Sequence, residues 1–575
     1  MEKGRETREG AGLAARPEIA DGPRGPAAAW PPWTRPLAAA AAAALSAVAL
    51  FAAFPPWDVA EAAYIWAIPL IVWILVFQPR YREVALVAFG CGWAAWFALI
   101  IWLRHFAVEA GVAGGVFIGW SVTLLLSAIL ALFLVVWALA LRWVFVRTWG
   151  LPKGRRVLAL LGLAGLWVVL EWVRSWILTG FPWLPLAASQ WQRPLLLQPA
   201  SVTGAWGVSF LLIFFNFAIV FYVVQLLTQR RGTWYTRFNP EFYTAMTLLA
   251  LSVFGGLRLG GERGRGEPVF EAAFIQPYAR PSEKWDRDYT QQVLDDLARV
   301  SQLGLYLGAD VIVWPEAPTP FPVYGDPHMR AWVEDLVDLL DRPLLMGNIA
   351  VVGDRTDPDA RWYNAVFVAQ PERGLRPRFY AKRRLVPFGE YVPFTRFLPF
   401  LDKVVPLPGS FHPGEGAQLV PLEVSDAVYR VGSLICFEDI FPGLARESVR
   451  AGANFLFVAT NNTWFREEAG AYQHAAHSVL RAVETRRPVL RVGNAGWSGW
   501  IDEFGGIRHV VTGPGGTIYF QGTQSAPFAI NPYQAGKLTP YVRFGDWFVA
   551  LSALLGLGAY GALRNRPPGW PRRES

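Results

Sequence analysis

Seven apolar runs follow one another through the first 260 residues of the chain, near 36–54, 61–78, 84–103, 114–140, 157–178, 207–228 and 243–257, and an eighth lies near 546–563. About 20 predominantly apolar residues suffice to cross the hydrocarbon core of a bilayer as a helix. A large soluble protein buries a few helices of this kind, but not seven in succession. The runs therefore predict a polytopic α-helical membrane domain of seven N-terminal spans plus one C-terminal span. The hydrophobic content of 53 % over 575 residues has the same origin.

The first 35 residues are polar and rich in Pro, Gly and Ala, which predicts a disordered tail. They contain no short apolar core ending in a small-residue cleavage site, so the first span is expected to act as an uncleaved anchor. Positive residues in the flanks remain cytoplasmic. They gather in the tail (Arg5, Arg24, Arg35), after span two (Arg80, Arg82), after span four (Arg142, Arg147, Lys153, Arg155, Arg156), after span six (Arg230, Arg231, Arg237) and at the end of the chain (Arg564, Arg566). The alternate loops hold only Arg104 and Arg193. This pattern puts both termini in the cytoplasm and the long segment after span seven outside it. The net charge of +8 then reflects membrane topology, and no nucleic-acid partner is expected. The expected divisions are a tail over 1–35, a helical membrane domain over 36–260, an extracytoplasmic domain over 261–545, a C-terminal span over 546–563 and a second tail over 564–575.

In the extracytoplasmic segment the texture changes. Short runs such as DVIVWPE (310–316), PLLMGNIAV (343–351), YRVGSLICF (429–437) and NFLFVATNN (454–462) alternate with helical, charged stretches over 284–306, 328–341, 442–451 and 467–486. Strands apolar on both faces belong to sheets covered on both sides, which predicts a layered α/β domain.

Three strand ends carry chemistry. VIVWPE ends at Glu316, ICFE holds Cys436, and YAKRRLVPFGEYVPF sets Lys382 in an apolar, proline-bounded loop. The chain has only two cysteines, and Cys91 falls inside a predicted span, so Cys436 has no disulfide partner within the chain. A thiol needs a base or a positive neighbour to become a useful nucleophile at neutral pH. Taken one at a time, these residues read equally well as a packed cysteine, a capping acid and a surface lysine. Glu171 and Arg174, three apart in span five, read as an i,i+3 pair. His474 and His477 lack a third ligand at suitable spacing, so no metal or other cofactor is expected.

Together, VWPE, YAKRRLVPFGEYVPF and ICFE resemble the Glu-Lys-Cys triads of the nitrilase superfamily in this chain order. With the apolar N-terminal half, QPYARPSEKW, NNTWF, QHAAHSVLRAVETRRPVLRVGNAG and EWVRSWILTGFPW, the chain resembles the apolipoprotein N-acyltransferases over nearly everything beyond residue 35. The resemblance implies a nitrilase-like αββα sandwich carried on a membrane domain. It implies Glu316, Lys382 and Cys436 as catalytic residues, with Glu390 and Glu438 in support, and it points to Trp285, Phe437, Asn461 and Trp464 as substrate contacts. Its implied reaction moves an acyl chain from a phospholipid, through a Cys thioester, to the α-amino group of a diacylglyceryl-cysteine on an apolipoprotein. The implied place is the bacterial inner membrane, with the catalytic domain periplasmic and the chain acting as a monomer. Two departures stand out: Phe437 where the family often has Tyr, and Ala187-Ala188 where it has Gly-Tyr. The apolar segment 394–411 reads as a lid or wall of the acyl entrance, and 183–199 as its floor. The competing reading is a membrane-tethered nitrilase-like amidase that hydrolyses a small C–N substrate with the same triad.

Overall fold

The computed structural model describes residues 31, 33–148, 151–228, 238–260, 266–280, 287–357, 359–393, 395, 397, 411–567 and 569. Its N-terminal half is helical. The long helices are α1 (Thr34–Ala52), α2 (Ile68–Phe77), α3 (Tyr81–Leu99), α4 (Gly115–Thr148), α5 (Lys153–Arg174), α6 (Ala205–Thr228) and α7 (Pro240–Gly260). Six described segments are long and apolar enough to cross a membrane: Thr34–Ala52, Ala60–Phe77, Tyr81–Leu99, Gly115–Thr148, Lys153–Arg174 and Ala205–Leu227. Helix α7 occupies the position of the expected seventh span and packs on α6. Many of these helices turn large apolar side chains outward, among them Leu86, Phe117, Leu125, Leu132 and Leu227. That pattern suits lipid as solvent. The chain is a membrane protein.

The second half is an αββα sandwich. Its strands are β1 (Glu267–Gln276), β2 (Val311–Trp314), β3 (Leu344–Val352), β4 (Arg361–Gln370), β5 (Gly374–Leu375), β6 (Tyr380–Ala381), β7 (Leu419–Val424), β8 (Ala427–Ile435), β9 (Phe455–Thr460), β10 (Val489–Gly493), β11 (Gly499–Ile501), β12 (Ile507–Val510) and β13 (Gly522–Ile530). One sheet runs β13-β1-β2-β3-β4-β5 with β6 also on β4; the other runs β12-β11-β10-β9-β8-β7. The central pairs β1–β2, β2–β3, β8–β9 and β9–β10 are parallel. Every residue of β2 and β9 is buried, because each sheet is covered on both faces. Between the sheets lies an apolar core of Phe270, Val313, Leu345, Phe455, Leu490 and Phe528.

Helices α8 (Thr290–Tyr306) and α9 (Pro327–Leu340) cover the first sheet. Helices α10 (Pro442–Arg450) and α11 (Gly470–Thr485) cover the second, and α12 (Trp547–Leu563) returns to pack on α5. The apolar surface of α10 and α11 belongs to the same continuous cluster as the membrane helices. The helical half therefore serves as the outermost layer of the sandwich.

Helix α11 is buried along nearly its whole length, with Tyr472 alone partly open. Such a helix must satisfy its polar groups inside the protein. Gln473 does so completely. Its Oε1 accepts from Trp102 Nε1 at 3.0 Å and Trp183 Nε1 at 2.9 Å, and its Nε2 donates to Pro55 O at 3.1 Å and Leu99 O at 2.9 Å. One side chain thus ties three loops of the helical half to the sandwich. Nearby, Glu468 pairs with Arg104 and His105, Glu484 accepts from Ala205 N, and Arg486 donates to Gln198 and Ser201.

The 183–199 stretch belongs to this joint. Residues Leu186–Gln190 form a buried 3-10 turn with Leu186 N on Glu171 and Gln190 Nε2 on Ala60 O. This part of the stretch expected as the floor of the entrance is a packed junction. Nor do Glu171 and Arg174 bond each other: Glu171 accepts from Trp167 Nε1 and Leu186 N, while the Arg174 guanidinium lies 4.7 Å from the Trp96 ring centroid. The expected i,i+3 pair makes no direct bond, and the turn that follows α5 engages each charge instead, Leu186 N donating to Glu171 and Arg174 Nη2 donating to Leu184 O at 3.5 Å. The expected lid falls almost wholly outside the described residues.

Replacing Gln473 by Leu leaves two indole N–H groups and two carbonyls without partners. At about 1–3 kcal/mol for each orphaned group, the joint should loosen measurably. We expect a lower thermal midpoint for Gln473→Leu in detergent and faster proteolysis between the halves; an unchanged midpoint would contradict the proposed role of this amide.

Candidate active site

Glu316, Lys382 and Cys436 each stand just past a strand. Glu316 follows β2 by two residues; Lys382 and Cys436 come directly after β6 and β8. Adjacent parallel strands deliver the residues beyond their carboxyl ends to one edge of a sheet, where loops are free to vary. Here the edges of both sheets meet. Gly347 on β3 makes room: a Cβ there would come within 2.7 Å of Pro315 O and 2.9 Å of Glu316 Cα. On the other sheet, Thr460 O accepts from Glu316 N at 3.5 Å.

At the centre is a buried ammonium. Lys382 is 1 % exposed, and its Nζ lies 2.8 Å from Glu390 Oε1 and 3.5 Å from Glu316 Oε1. Burying an unpaired ammonium costs several kcal/mol, so two carboxylates at this distance are what permit it. Burial alone would lower the lysine's pKa; the charges of Glu390 and Glu316 outweigh that and hold it above its ordinary value. Glu390 is itself held by its own turn, with Val386 N donating to its Oε2 at 2.8 Å.

Asn364, on β4, is a member of the site that sequence reasoning missed. Its Nδ2 donates to Glu316 Oε1 at 2.8 Å and to Glu390 Oε1 at 3.1 Å, so it locks both carboxylates onto the lysine. The available signal was an amide at an inward position of the otherwise apolar stretch WYNAVFVA. With Oε1 engaged by Asn364 and Lys382, Glu316 Oε2 is buried and left without a partner. It is the carboxylate atom open to a proton.

Cys436 joins this charge field. Burial, and then the charge of Glu316, push its thiol up to about 12, against the opposing pull of Lys382 and donors from Thr460 and the Asn461 backbone. The resting sulfur is therefore a neutral thiol, and attack requires a base to remove its proton. Cys436 is also in the left-handed region, φ +50°, which turns Sγ sharply away from the line of β8.

Glu438 does not hold Lys382. Its carboxylate accepts from Tyr380 Oη at 2.8 and 2.9 Å, Arg383 N at 2.7 Å, Arg384 N at 3.1 Å and Ile435 N at 2.8 Å. It fastens the lysine loop to the end of the nucleophile strand and also caps the 3-10 turn Cys436–Ile440. Burial raises its pKa against the backbone N–H bonds that favour the charged form.

Asn461 and Trp464 belong to one short turn after β9, and the Asn461 amide brings that turn to Cys436, the neighbour of Phe437. The Asn461 side chain is used internally, accepting from Thr463 N, Thr463 Oγ1 and Asn494 Nδ2. Its backbone amide is the part that meets Cys436. Trp464 packs on Phe106 of the helical half with centroids 5.3 Å apart, and Phe106 Cζ would lie 2.9 Å from a Cβ at Gly389 in the lysine loop. Phe437 packs edge-on against Phe441. Trp285 falls outside the described residues. His474 and His477 are buried and engaged within the protein, at Cys436 O and Leu184 N.

A thiol this far above neutral should be alkylated by iodoacetamide about tenfold faster per pH unit, with no plateau below pH 10. Glu316→Gln removes the negative neighbour that helps raise the thiol, so its titration should move to lower pH even as base-assisted turnover is lost. A plateau near pH 7 in the parent protein would show a preformed thiolate and contradict this electrostatic account.

Two family models match the chain. The apolipoprotein N-acyltransferase N-terminal domain covers residues 46–218, and carbon-nitrogen hydrolase covers 271–523. A curated apolipoprotein N-acyltransferase of Geobacter metallireducens is 31 % identical over 467 residues, covering 81 % of this chain and 85 % of the relative. Those of Rhizobium rhizogenes (30 %, covering 82 % and 86 %) and Azotobacter vinelandii (29 %, covering 93 % and 96 %) are similar to the chain over comparable or greater lengths. An apolar helical half joined to a sandwich with this buried Glu, Lys and Cys constellation fits that match, and the chain belongs to the apolipoprotein N-acyltransferase family.

Proposed function

We propose that the protein N-acylates the N-terminal diacylglyceryl-cysteine of apolipoproteins, using a phospholipid as acyl donor. The observation that carries this reading is the burial of the Glu316, Lys382 and Cys436 set in a sandwich whose outer layer is a membrane domain. An amidase of small soluble molecules has no use for a joint of that kind. A substrate drawn from the bilayer does.

The residues divide the work as follows. Glu316 Oε2 takes the proton from Cys436 as Sγ attacks the ester carbonyl of the phospholipid. Negative charge passes from sulfur to the carbonyl oxygen, where Lys382 Nζ and the Asn461 amide meet it. Losing one such donor typically costs about 10²–10³ in rate. Collapse breaks the ester C–O bond, Glu316 returns its proton to the leaving alkoxide, and a lysophospholipid departs. The thioester stays on Cys436. The acceptor amine then attacks it, Glu316 removes the amine proton, and the thiol is restored as the amide leaves. Two half-reactions sharing one sulfur imply ping-pong kinetics. Glu390 and Asn364 keep Lys382 charged and aimed throughout.

The placement proposed is the bacterial inner membrane, with seven spans before residue 260, an eighth over 546–563 and the catalytic domain of 261–545 on the periplasmic side. The asymmetry of Lys and Arg between alternate loops supports it. One chain supplies every group invoked, which supports action as a monomer.

Intact-mass analysis after incubation with phosphatidylethanolamine vesicles tests the chemistry. One added acyl chain is expected on Cys436, absent in Cys436→Ala and cleared by a diacylglyceryl-cysteine peptide. An active preparation without this adduct would refute the thioester route. For topology, Asp335 is exposed on α9. In a Cys436→Ala background, Asp335→Cys should react with a membrane-impermeant maleimide in spheroplasts; labelling only after lysis would reverse the proposed orientation.

A further inference from the structure

The strained nucleophile raises a question the reaction scheme does not answer. A residue with a Cβ is strained in this sparsely populated backbone region, and persists there only when its surroundings fix it. The group at the backbone of Cys436 is His474, on α11. Its Nε2 lies 3.0 Å from Cys436 O and 2.8 Å from Asp439 Oδ1. Both neighbours are acceptor atoms, so Nε2 carries the proton; its hydrogen bond goes to Cys436 O, while Asp439 Oδ1 stays within ion-pair distance of the same nitrogen. Its Nδ1 faces Asn462 Nδ2 at 3.2 Å and accepts there. Asp439 is fixed in turn by Ser478 Oγ at 2.7 Å and Arg491 Nη1 at 2.6 Å, and Arg491 also reaches Ser478 at 2.9 Å. His474, Asp439, Asn462, Ser478 and Arg491 are each at most 1 % exposed.

The electrostatics agree with this geometry. Burial disfavours the Asp439 carboxylate, but the Nε2–H of His474 turned toward it and the Arg491 guanidinium outweigh that and hold it well below the usual carboxylate range. Burial lowers His474 below the ordinary imidazole value despite the neighbouring Asp439. The imidazole thus stays neutral, in one tautomer, with a single proton aimed at the joint between the nucleophile and the turn that follows it. Trp183 of the helical half packs 5.6 Å from the same ring, so the membrane domain abuts this clamp.

We propose that His474 is a positioning residue for Cys436: it pins the nucleophile's carbonyl in the left-handed turn and thereby aims Sγ at Glu316 and Lys382. It touches no substrate. Asp439 and Asn462 act through it by fixing its tautomer and ring plane. The turnover part of this inference rests on the acyl-transfer reading; the reactivity of the thiol does not.

Full-length protein in detergent carrying His474→Gln, His474→Asn or His474→Leu tests the clamp. Three quantities are read: the thermal midpoint, the iodoacetamide alkylation rate of Cys436, and kcat and KM for acyl transfer from vesicles to a diacylglyceryl-cysteine peptide. The Gln amide can reach Cys436 O, whereas the Asn amide is too short. We expect folded His474→Asn and His474→Leu to lose about ten- to hundredfold in alkylation and in kcat with KM unchanged, the range that misplacement of a reacting group produces. His474→Gln should recover to within about threefold, in proportion to how well its amide reproduces that reach. If the Leu variant does not accumulate, the contrast between Gln and Asn decides. Parental alkylation in folded His474→Asn, an equal defect in Gln and Asn, or a change confined to KM would overturn the proposal. Wild-type protein that is alkylated as expected but transfers no acyl chain would sink the acyl-transfer reading and leave the clamp standing.

Discussion

A buried ammonium between two carboxylates organises the catalytic half of this protein. Lys382 can lie at 1 % exposure only because Glu316 and Glu390 offset the cost of desolvating it, and those carboxylates can crowd together only because Lys382 lies between them. Asn364 bridges both, which leaves Glu316 one oxygen free. The same triangle keeps Cys436 protonated at rest, since a thiolate would add a further negative charge to a site that already carries an excess of one. The charge appears on sulfur only when a carbonyl is ready to take it onward.

The second constraint is the fully covered helix α11. In a free-standing sandwich the outer helices turn a polar face to water. Here that face meets the membrane domain, so its polar side chains are matched inside the protein: Gln473 to two indoles and two carbonyls, Glu484 to a helix N-terminus, His474 to the nucleophile's own backbone. One helix therefore carries both the attachment to the membrane half and the clamp on Cys436. The joint between the two halves and the backbone contact to Cys436 are built on the same helix.

Much of this was readable beforehand, for identifiable reasons. Strands β2, β3 and β9 are mostly apolar on both faces and flanked by turns, so periodicity and length both pointed to a doubly covered sheet. Edge strands were harder. β7 and β13 contain proline and alternate buried with partly open positions, and β5 and β6 are two residues long; they are strands because a neighbour offers hydrogen bonds. Asn364 was overlooked because one amide in an apolar strand carries no local signature. Glu171 and Arg174 were paired by helical spacing, but α5 ends at the joint, where an indole, a backbone amide and a facing ring engage them instead.

From the sequence alone follow the apolar spans and the α/β texture of the second half, because hydrophobic period and span length are local properties; Glu316, Lys382 and Cys436 stand out only through the family resemblance of the motifs that hold them. What only the tertiary structure decided is which charges meet. It put Glu390 on Lys382 and Glu438 on the backbone of the lysine loop, although both are acids of similar sequence context. It also set His474 beneath the nucleophile, 38 residues away in the chain. Contacts of that range depend on how two sheets and a membrane domain pack, and no local pattern encodes them.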